Sequence, residues 1–236
     1  MIIETEILEV RQTTPIDRTL RLAIPADARE GFAFTPGQFV VLHDLDEEKP
    51  TRRAYSISSP PSDAAHLEIT VRDMGTYGAA LYRHPVGTRL GMRSPAGRFV
   101  LQENPDEALL MVAGGSGVTP FHAFVGDLAA RGSSTPATLL QSAQQAAELV
   151  FHGAFEAWAD SHAPFTYVPT ITRAASDDPW QGRRGRIERD LVAAHIPDPD
   201  ATRFYACGPG AFVKAMLALA EALGIPKERR HKEQWG

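Results

Sequence analysis

A chain of 236 residues in which 43% of side chains are hydrophobic can fill one large core or two small ones, which excludes a disordered protein. Its 24 basic residues are outnumbered by 29 acidic ones, for a formal charge of −5, and this excludes general nucleic-acid binding, which needs a basic face for phosphates. The single cysteine, Cys207, excludes an internal disulfide and a cluster ligated by four cysteines of this chain.

Met1 to Glu6 lack the basic region and apolar run of a signal peptide, and no run of about 18 apolar residues exists. A soluble, cytoplasmic protein with no membrane contact is expected. In chain order, strands are expected over Ile3–Arg11, where Ile3, Thr5, Ile7 and Glu9 share a face, and over Thr19–Ile24, Phe39–His43 and Leu67–Arg72. Turn residues separate them: Pro15, Pro25, Pro36–Gly37, Pro60–Pro61, Pro85 and Gly87. Gly75 to Tyr82 reads as a loop entering a short helix. Many short strands with frequent turns predict an antiparallel barrel or sandwich.

Near residue 104 the pattern changes. Leu109–Ala113 is a continuous apolar run that ends in glycines, which suits a strand buried on both faces. A helix over Pro120–Ala130 follows. Then come a strand over Ala137–Gln141, a helix over Ala146–Ala159, a strand over Phe165–Thr172, a helix over Ile187–Ala194, a strand over Arg203–Cys207 and a helix over Gly210–Leu223. Such alternation predicts an open α/β sheet with right-handed crossovers. The chain is expected to divide into residues 1–103 and 104–236.

Three segments carry chemistry. Gly114 to Pro120 stands between an apolar strand and a helix, where glycines let the backbone approach a pyrophosphate and the helix start offers amide hydrogens. The Thr119 hydroxyl is expected to cap that helix, and Pro120 suits its first turn. A glycine turn with no ligand is the plain alternative. Cys207-Gly208-Pro209 closes the last strand in the same manner, with a buried packing cysteine as its alternative. In Arg53-Ala54-Tyr55-Ser56, Arg53 and Tyr55 share a strand face. There a guanidinium can pair with phosphate and a phenol can cover a flat ring. An ordinary strand with an outward arginine and a core tyrosine is the competing reading. His43, His122 and His152 fit no metal-ligand spacing, so no metal site is expected.

In this order and spacing, the segments resemble the ferredoxin–NADP reductase superfamily, and the likeness covers essentially the whole chain. It implies an N-terminal antiparallel Greek-key β-barrel that binds FAD (sometimes FMN), followed by a Rossmann-like parallel α/β domain for NADH or NADPH. Phe34 to Val40 looks like the family's Pro-Gly-Gln strand. By the Arg-x-Tyr-Ser match, Arg53 would hold the flavin pyrophosphate, Tyr55 would pack on the flavin and Ser56 would sit near flavin N5. The strand containing Thr70 and Val71 would hold the ribityl and phosphate region through its backbone. Gly75, Thr76, Tyr77 and Gly78 would form the phosphate loop, although Gly78 departs from the usual hydroxyl residue. In the second domain Gly115, Gly117, Thr119 and Pro120 match the nicotinamide-nucleotide loop. Cys207, Gly208 and Pro209 match the Cys-Gly-Pro motif beside the nicotinamide.

Where NADP-specific members place an arginine, this chain has Gln141, Ser142, Ala143, Gln144 and Gln145. That points toward NADH with ribose hydroxyls bonded by glutamine, and leaves NADPH to Arg173 or Arg184. The tail, residues 231–236, has two readings: Trp235 as a lid over the flavin, with Glu233 as proton relay or partner contact, or a frayed terminus. The implied activity is hydride exchange between a nicotinamide and FAD, with single electrons passed to or from a separate carrier such as a ferredoxin, a flavodoxin or an oxygenase component. Tyr55, Ser56, Cys207 and Trp235 would stand at the reacting centre. The rival readings are an NAD(P)H-flavin reductase or diaphorase and an electron-transfer subunit of a larger complex.

Overall fold

The computed structural model describes residues 1–45, 51–104, 106–175 and 178–235. It contains two compact units, one formed by residues 1–101 with 122–127 and the other by 102–121 with 128–236.

The first unit holds β1 (Ile2–Thr14), β2 (Asp17–Ala23), β3 (Phe39–Asp44), β4 (Arg53–Ser56), β5 (His66–Arg72), the helix α1 (Thr76–Arg83) and β6 (Arg89–Ala96). The strands form one antiparallel sheet in the order β4-β3-β6-β1-β2-β5. Its two edges meet through a bridge between Ile57 and Ile69 and through Ser58 N–H donating to Glu68 O at 2.8 Å, so the sheet closes on itself. Alternation aims Leu20, Leu22, Val40, Leu42, Leu67 and Ile69 inward, each fully buried. β6 is not among the strands expected from periodicity. Leu90, Gly91 and Met92 are buried in succession, and the His43 ring occupies the space that a Cβ on Gly91 would need.

The second unit holds β7 (Ala108–Gly114), α2 (Thr119–Ala130, its middle residues counted with the first unit), β8 (Ala137–Ala143), α3 (His152–Ser161), β9 (Phe165–Ile171), β10 (Arg183–Arg184), α4 (Arg189–Ala193), β11 (Thr202–Pro209), α5 (Gly210–Ala222) and β12 (Arg230–Trp235). All six strands are parallel, in the order β10-β9-β8-β7-β11-β12. From β7 the chain moves outward through β8, β9 and β10, then returns to β11 on the other side. The β7–β11 boundary is therefore the point where strand order reverses, the place at which open α/β sheets bind ligands.

Two expectations are corrected here. The helix expected over Ala146–Ala159 is a short 3-10 turn at Ala146–Glu148 and then α3, because Phe151 adopts a left-handed φ of 62° and Val150 O accepts from the Gln141 amide at 3.1 Å. The tail is not frayed. Residues 230–235 form the parallel edge strand β12, paired with β11 from Phe204↔Arg230 to Pro209↔Trp235, and Gly236 lies outside the described residues. Among the described residues no helix is long and apolar enough to cross a membrane.

Candidate functional site

In the first unit β4 and the stretch that runs from the end of β5 into α1 converge. β4 presents Arg53, exposed, then Tyr55, half-buried against the barrel core, then Ser56, half-buried and registered opposite Phe39. β5 ends at Arg72, and the chain turns through Asp73 and Met74 into Gly75, which precedes α1. Gly75 has φ of 67°, so an L-residue there would be strained although no atom lies within 4 Å of where its Cβ would stand. A Cβ on Gly78 would lie 3.2 Å from Arg72 O and 3.9 Å from the Tyr55 hydroxyl. The start of α1 is thus pressed against the end of β5 beneath Tyr55, which gives a physical reason for glycine where a hydroxyl residue was expected.

Burial pushes the Tyr55 phenol up to about 12; Arg53 pulls it down and Asp44 pushes it further up. It is a neutral, flat, amphipathic face at any physiological pH. Thr70 turns its hydroxyl inward to Thr19 at 3.0 Å, and Val71 is wholly in the core, so both offer a ligand only their backbone. Thr76 is exposed at the first position of α1, while Tyr77 is buried in the core. The donor set here comprises first-turn amides, an exposed guanidinium and an aromatic face. It fits the pyrophosphate and ring of a flavin dinucleotide.

In the second unit the Gly-rich turn at Gly115–Val118 and the end of β11 lie side by side at the reversal point. A Cβ on Gly117 would stand 2.3 Å from Cys207 O and 2.7 Å from Gly208 N, so only glycine allows this approach. Thr119 does not cap α2 from outside. It is the helix's first residue and its hydroxyl donates to Ser116 O at 2.7 Å, holding the turn closed. Pro120 follows it, buried, in the first turn.

Cys207 is fully buried, and burial, with Glu233 adding to it, pushes the thiol well above its ordinary range against one backbone hydrogen bond from Gly208. It is a neutral, buried packing group. Pro209 is exposed where β11 passes into α5, with Trp235 registered opposite it. Trp235 therefore lies at the carboxyl edge of this sheet, and Glu233 is registered opposite Cys207.

The residues expected to read the ribose divide differently from the sequence expectation. Gln141 is fully buried and spent internally: its amide donates to Val150 O at 3.1 Å and its carbonyl accepts from the Tyr167 hydroxyl at 2.7 Å. Ser142 is half-buried at the carboxyl end of β8, opposite Gly114 and Thr170. Arg184 is committed to the carbonyls of Ala175, Asp178 and Trp180 at 3.3, 2.7 and 3.1 Å. Arg173 remains exposed, with its backbone amide donating to Gln144 O at 2.8 Å.

Sequence reasoning missed the anchor of β12. Glu107 accepts from Arg203 and from Arg229, each at 2.6 Å, and His231 stacks on Tyr205 with ring centroids 4.7 Å apart. Burial works to raise the Glu107 carboxyl, but hydrogen bonds from Arg229 and Arg203 outweigh it and hold it below the usual range. No local pattern flags this cluster, because Arg203 and Arg229 stand roughly a hundred residues or more from Glu107 along the chain.

Residues 6–101 match the oxidoreductase FAD-binding domain family, and residues 111–217 match the oxidoreductase NAD-binding domain family. The chain is 28% identical over 215 residues to the glycine betaine monooxygenase reductase subunit of Chromohalobacter salexigens, an alignment covering 89% of this chain and 58% of that protein. It is 32% identical over 212 residues to a flavohemoprotein of Deinococcus radiodurans, covering 86% and 52%. It thus spans a little over half the length of these relatives. A ferredoxin NADP+ reductase structure from Neisseria gonorrhoeae, with bound FAD and NADP, superposes with a TM-score of 0.83 at 25% identity, covering 99% of this chain and 98% of that one. With both domain families matched in order and the fold shared end to end, the chain belongs to the ferredoxin–NADP reductase superfamily of FAD- and NAD(P)-binding oxidoreductases.

Proposed function

We propose that this chain is the reductase module of an electron-transfer system, taking reducing equivalents from NADH and delivering them to a one-electron carrier outside these 236 residues. The observation that carries the reading is the convergence of Tyr55 on β4 with the continuous stretch from Arg72 to Gly78 at the start of α1, a cradle for a flavin dinucleotide. The chemistry that FAD would supply, when bound, is acceptance of a hydride and release of electrons one at a time.

This chain's residues supply placement. Arg53 and the first-turn amides of α1 hold the pyrophosphate, the backbone of Thr70 and Val71 lines the ribityl chain, and Tyr55 covers the ring. Ser56 would offer its hydroxyl to the flavin ring. In the second unit, the amides of Gly115 to Thr119 hold the nicotinamide nucleotide's pyrophosphate, and Cys207 with Gly208 and Pro209 walls the nicotinamide end. Trp235 shields the same end. Its place at the end of a paired strand favours a fixed shield over a loose tail. Cys207 stays protonated and takes no nucleophilic part, in keeping with its raised pKa.

A preference for NADH is supported by the commitment of Arg184, itself exposed, to three carbonyls, which takes one of the two arginines considered for a 2′-phosphate out of play. The carrier is an oxygenase component or a small redox protein. The likeness to a monooxygenase reductase subunit supports that class, and one cysteine cannot ligate a four-cysteine cluster.

The test is anaerobic titration of the purified protein, reconstituted with FAD, with NADH and separately with NADPH. Bleaching of the flavin absorbance is expected with both and faster with NADH. No bleaching with either nucleotide overturns the reading. Oxidation of the reduced protein by free flavin but by no ferredoxin, flavodoxin or oxygenase component would replace it with a flavin reductase.

A further inference from the structure

The turn joining β1 to β2 carries a polar network that the flavin reading leaves unused. Asp17 is fully buried. Its Oδ1 accepts from Arg72 Nε at 2.9 Å, and its Oδ2 accepts from Arg72 Nη2 at 3.0 Å and from the Thr14 hydroxyl at 2.6 Å. The bidentate pair fixes the plane of the guanidinium at the last residue of β5. Just beyond, Asp73 N–H donates to Ile16 O at 2.9 Å and Met74 N–H donates to Arg72 O at 2.8 Å. The same Arg72 carbonyl is the atom against which Gly78 sits.

A second brace grips the far end of α1. The Gln12 amide donates to the Tyr82 hydroxyl at 2.8 Å. Arg18 donates to Tyr82 O at 2.9 Å and lies 4.3 Å above the Tyr82 ring. The far end of the helix and the strand end that leads into it are therefore both tied to one turn of the barrel. Burying an ion pair contributes little to stability compared with an apolar pair of similar volume, because both charges lose their water. What a bidentate pair contributes is orientation, and the segment it orients is the loop of residues 73–78.

We propose that Asp17 is a positioning residue for the flavin pyrophosphate. By fixing Arg72 it sets the angle at which the first-turn amides of α1 meet the phosphates, without touching the cofactor itself. The inference rests on the flavin reading of the first unit.

Its test separates pyrophosphate from ring. Apoprotein is titrated with FAD and with riboflavin, which lacks phosphate, and flavin fluorescence is followed for the native chain, Asp17→Asn and Thr14→Val. The phosphorus resonances of bound FAD are recorded in parallel. Asp17→Asn is expected to weaken FAD roughly tenfold or more and to shift those resonances, while riboflavin stays within about twofold of the native value. Thr14→Val, which keeps the ion pair and removes one hydrogen bond, is expected to weaken FAD about threefold in the same pattern, and it carries the test if Asp17→Asn does not fold. Equal losses for FAD and riboflavin, or unchanged FAD affinity and phosphorus resonances, overturn the proposal alone. A native chain that binds neither flavin overturns the flavin reading with it.

Discussion

The two units build their candidate sites by opposite means. The first exposes side chains on a closing strand: Arg53 is exposed, Tyr55 and Ser56 are half-buried, and the glycine that opens the phosphate loop has empty space around it. The second works through backbone. Gly117 has no room for a methyl group and Cys207 is sealed at the β7–β11 reversal. A side-chain site can be weakened one interaction at a time, whereas a backbone site fails as a unit when its packing is disturbed.

The largest expected effect tests that contrast directly. Gly117→Ala drives a methyl group into the Cys207 carbonyl and is expected to destabilise the second unit by about 3 kcal/mol and to abolish saturable NADH oxidation, with flavin content retained. Calorimetry and flavin release measure both, and a normal KM for NADH would break the comparison. Tyr55→Ala removes one apolar face and is expected to weaken flavin by about 2 kcal/mol, roughly thirtyfold, while nucleotide affinity holds; equilibrium dialysis measures each.

The units also differ in their pH limits. The His122 ring lies against Ser58 O at 2.7 Å, and burial lowers its pKa to about 4, more than the Ser58 hydrogen bond raises it. Its folded pKa is below the ordinary 6.5, so its contribution is present above that value and lost as pH falls toward about 4. Melting of the first unit should therefore weaken by up to about 1.4 kcal/mol per pH unit across that window, and His122→Gln should flatten the slope.

Cys207 gives the smallest effect and the opposite sign. Its thiol is raised above 9.0, so its contribution is complete below that pH and is lost as pH rises beyond it. Alkaline scans of the melting temperature should show a shallow fall that Cys207→Ala reduces. Rapid alkylation of the native thiol near neutral pH would contradict the sealed packing.

Much of this is legible in the residues themselves. The apolar run Leu109–Ala113 reads as a doubly buried parallel strand because every position meets a helix or a neighbouring strand, and β7 spans it. Arg53-x-Tyr55-Ser56 and the glycines at 75, 115 and 117 are visible because each is a residue type that the local chemistry or close approach selects. Gln141 is the instructive failure: a polar residue at a strand end looks like a ligand contact, yet Tyr167 and Val150 consume both ends of its amide.

Sequence alone determined most of the order of strands and helices, their division into an antiparallel and a parallel half, and the motifs proposed for a flavin and a nucleotide. Each of these depends on neighbours within a few residues, where periodicity and turn chemistry act. Tertiary structure alone decided the pairing of Arg230–Trp235 as a sheet edge, the anchoring of that edge by Glu107, and the clamp of Asp17 on Arg72. Their partners are far apart along the chain, and a buried charge is tolerated only where folding has already brought its counter-ion to it.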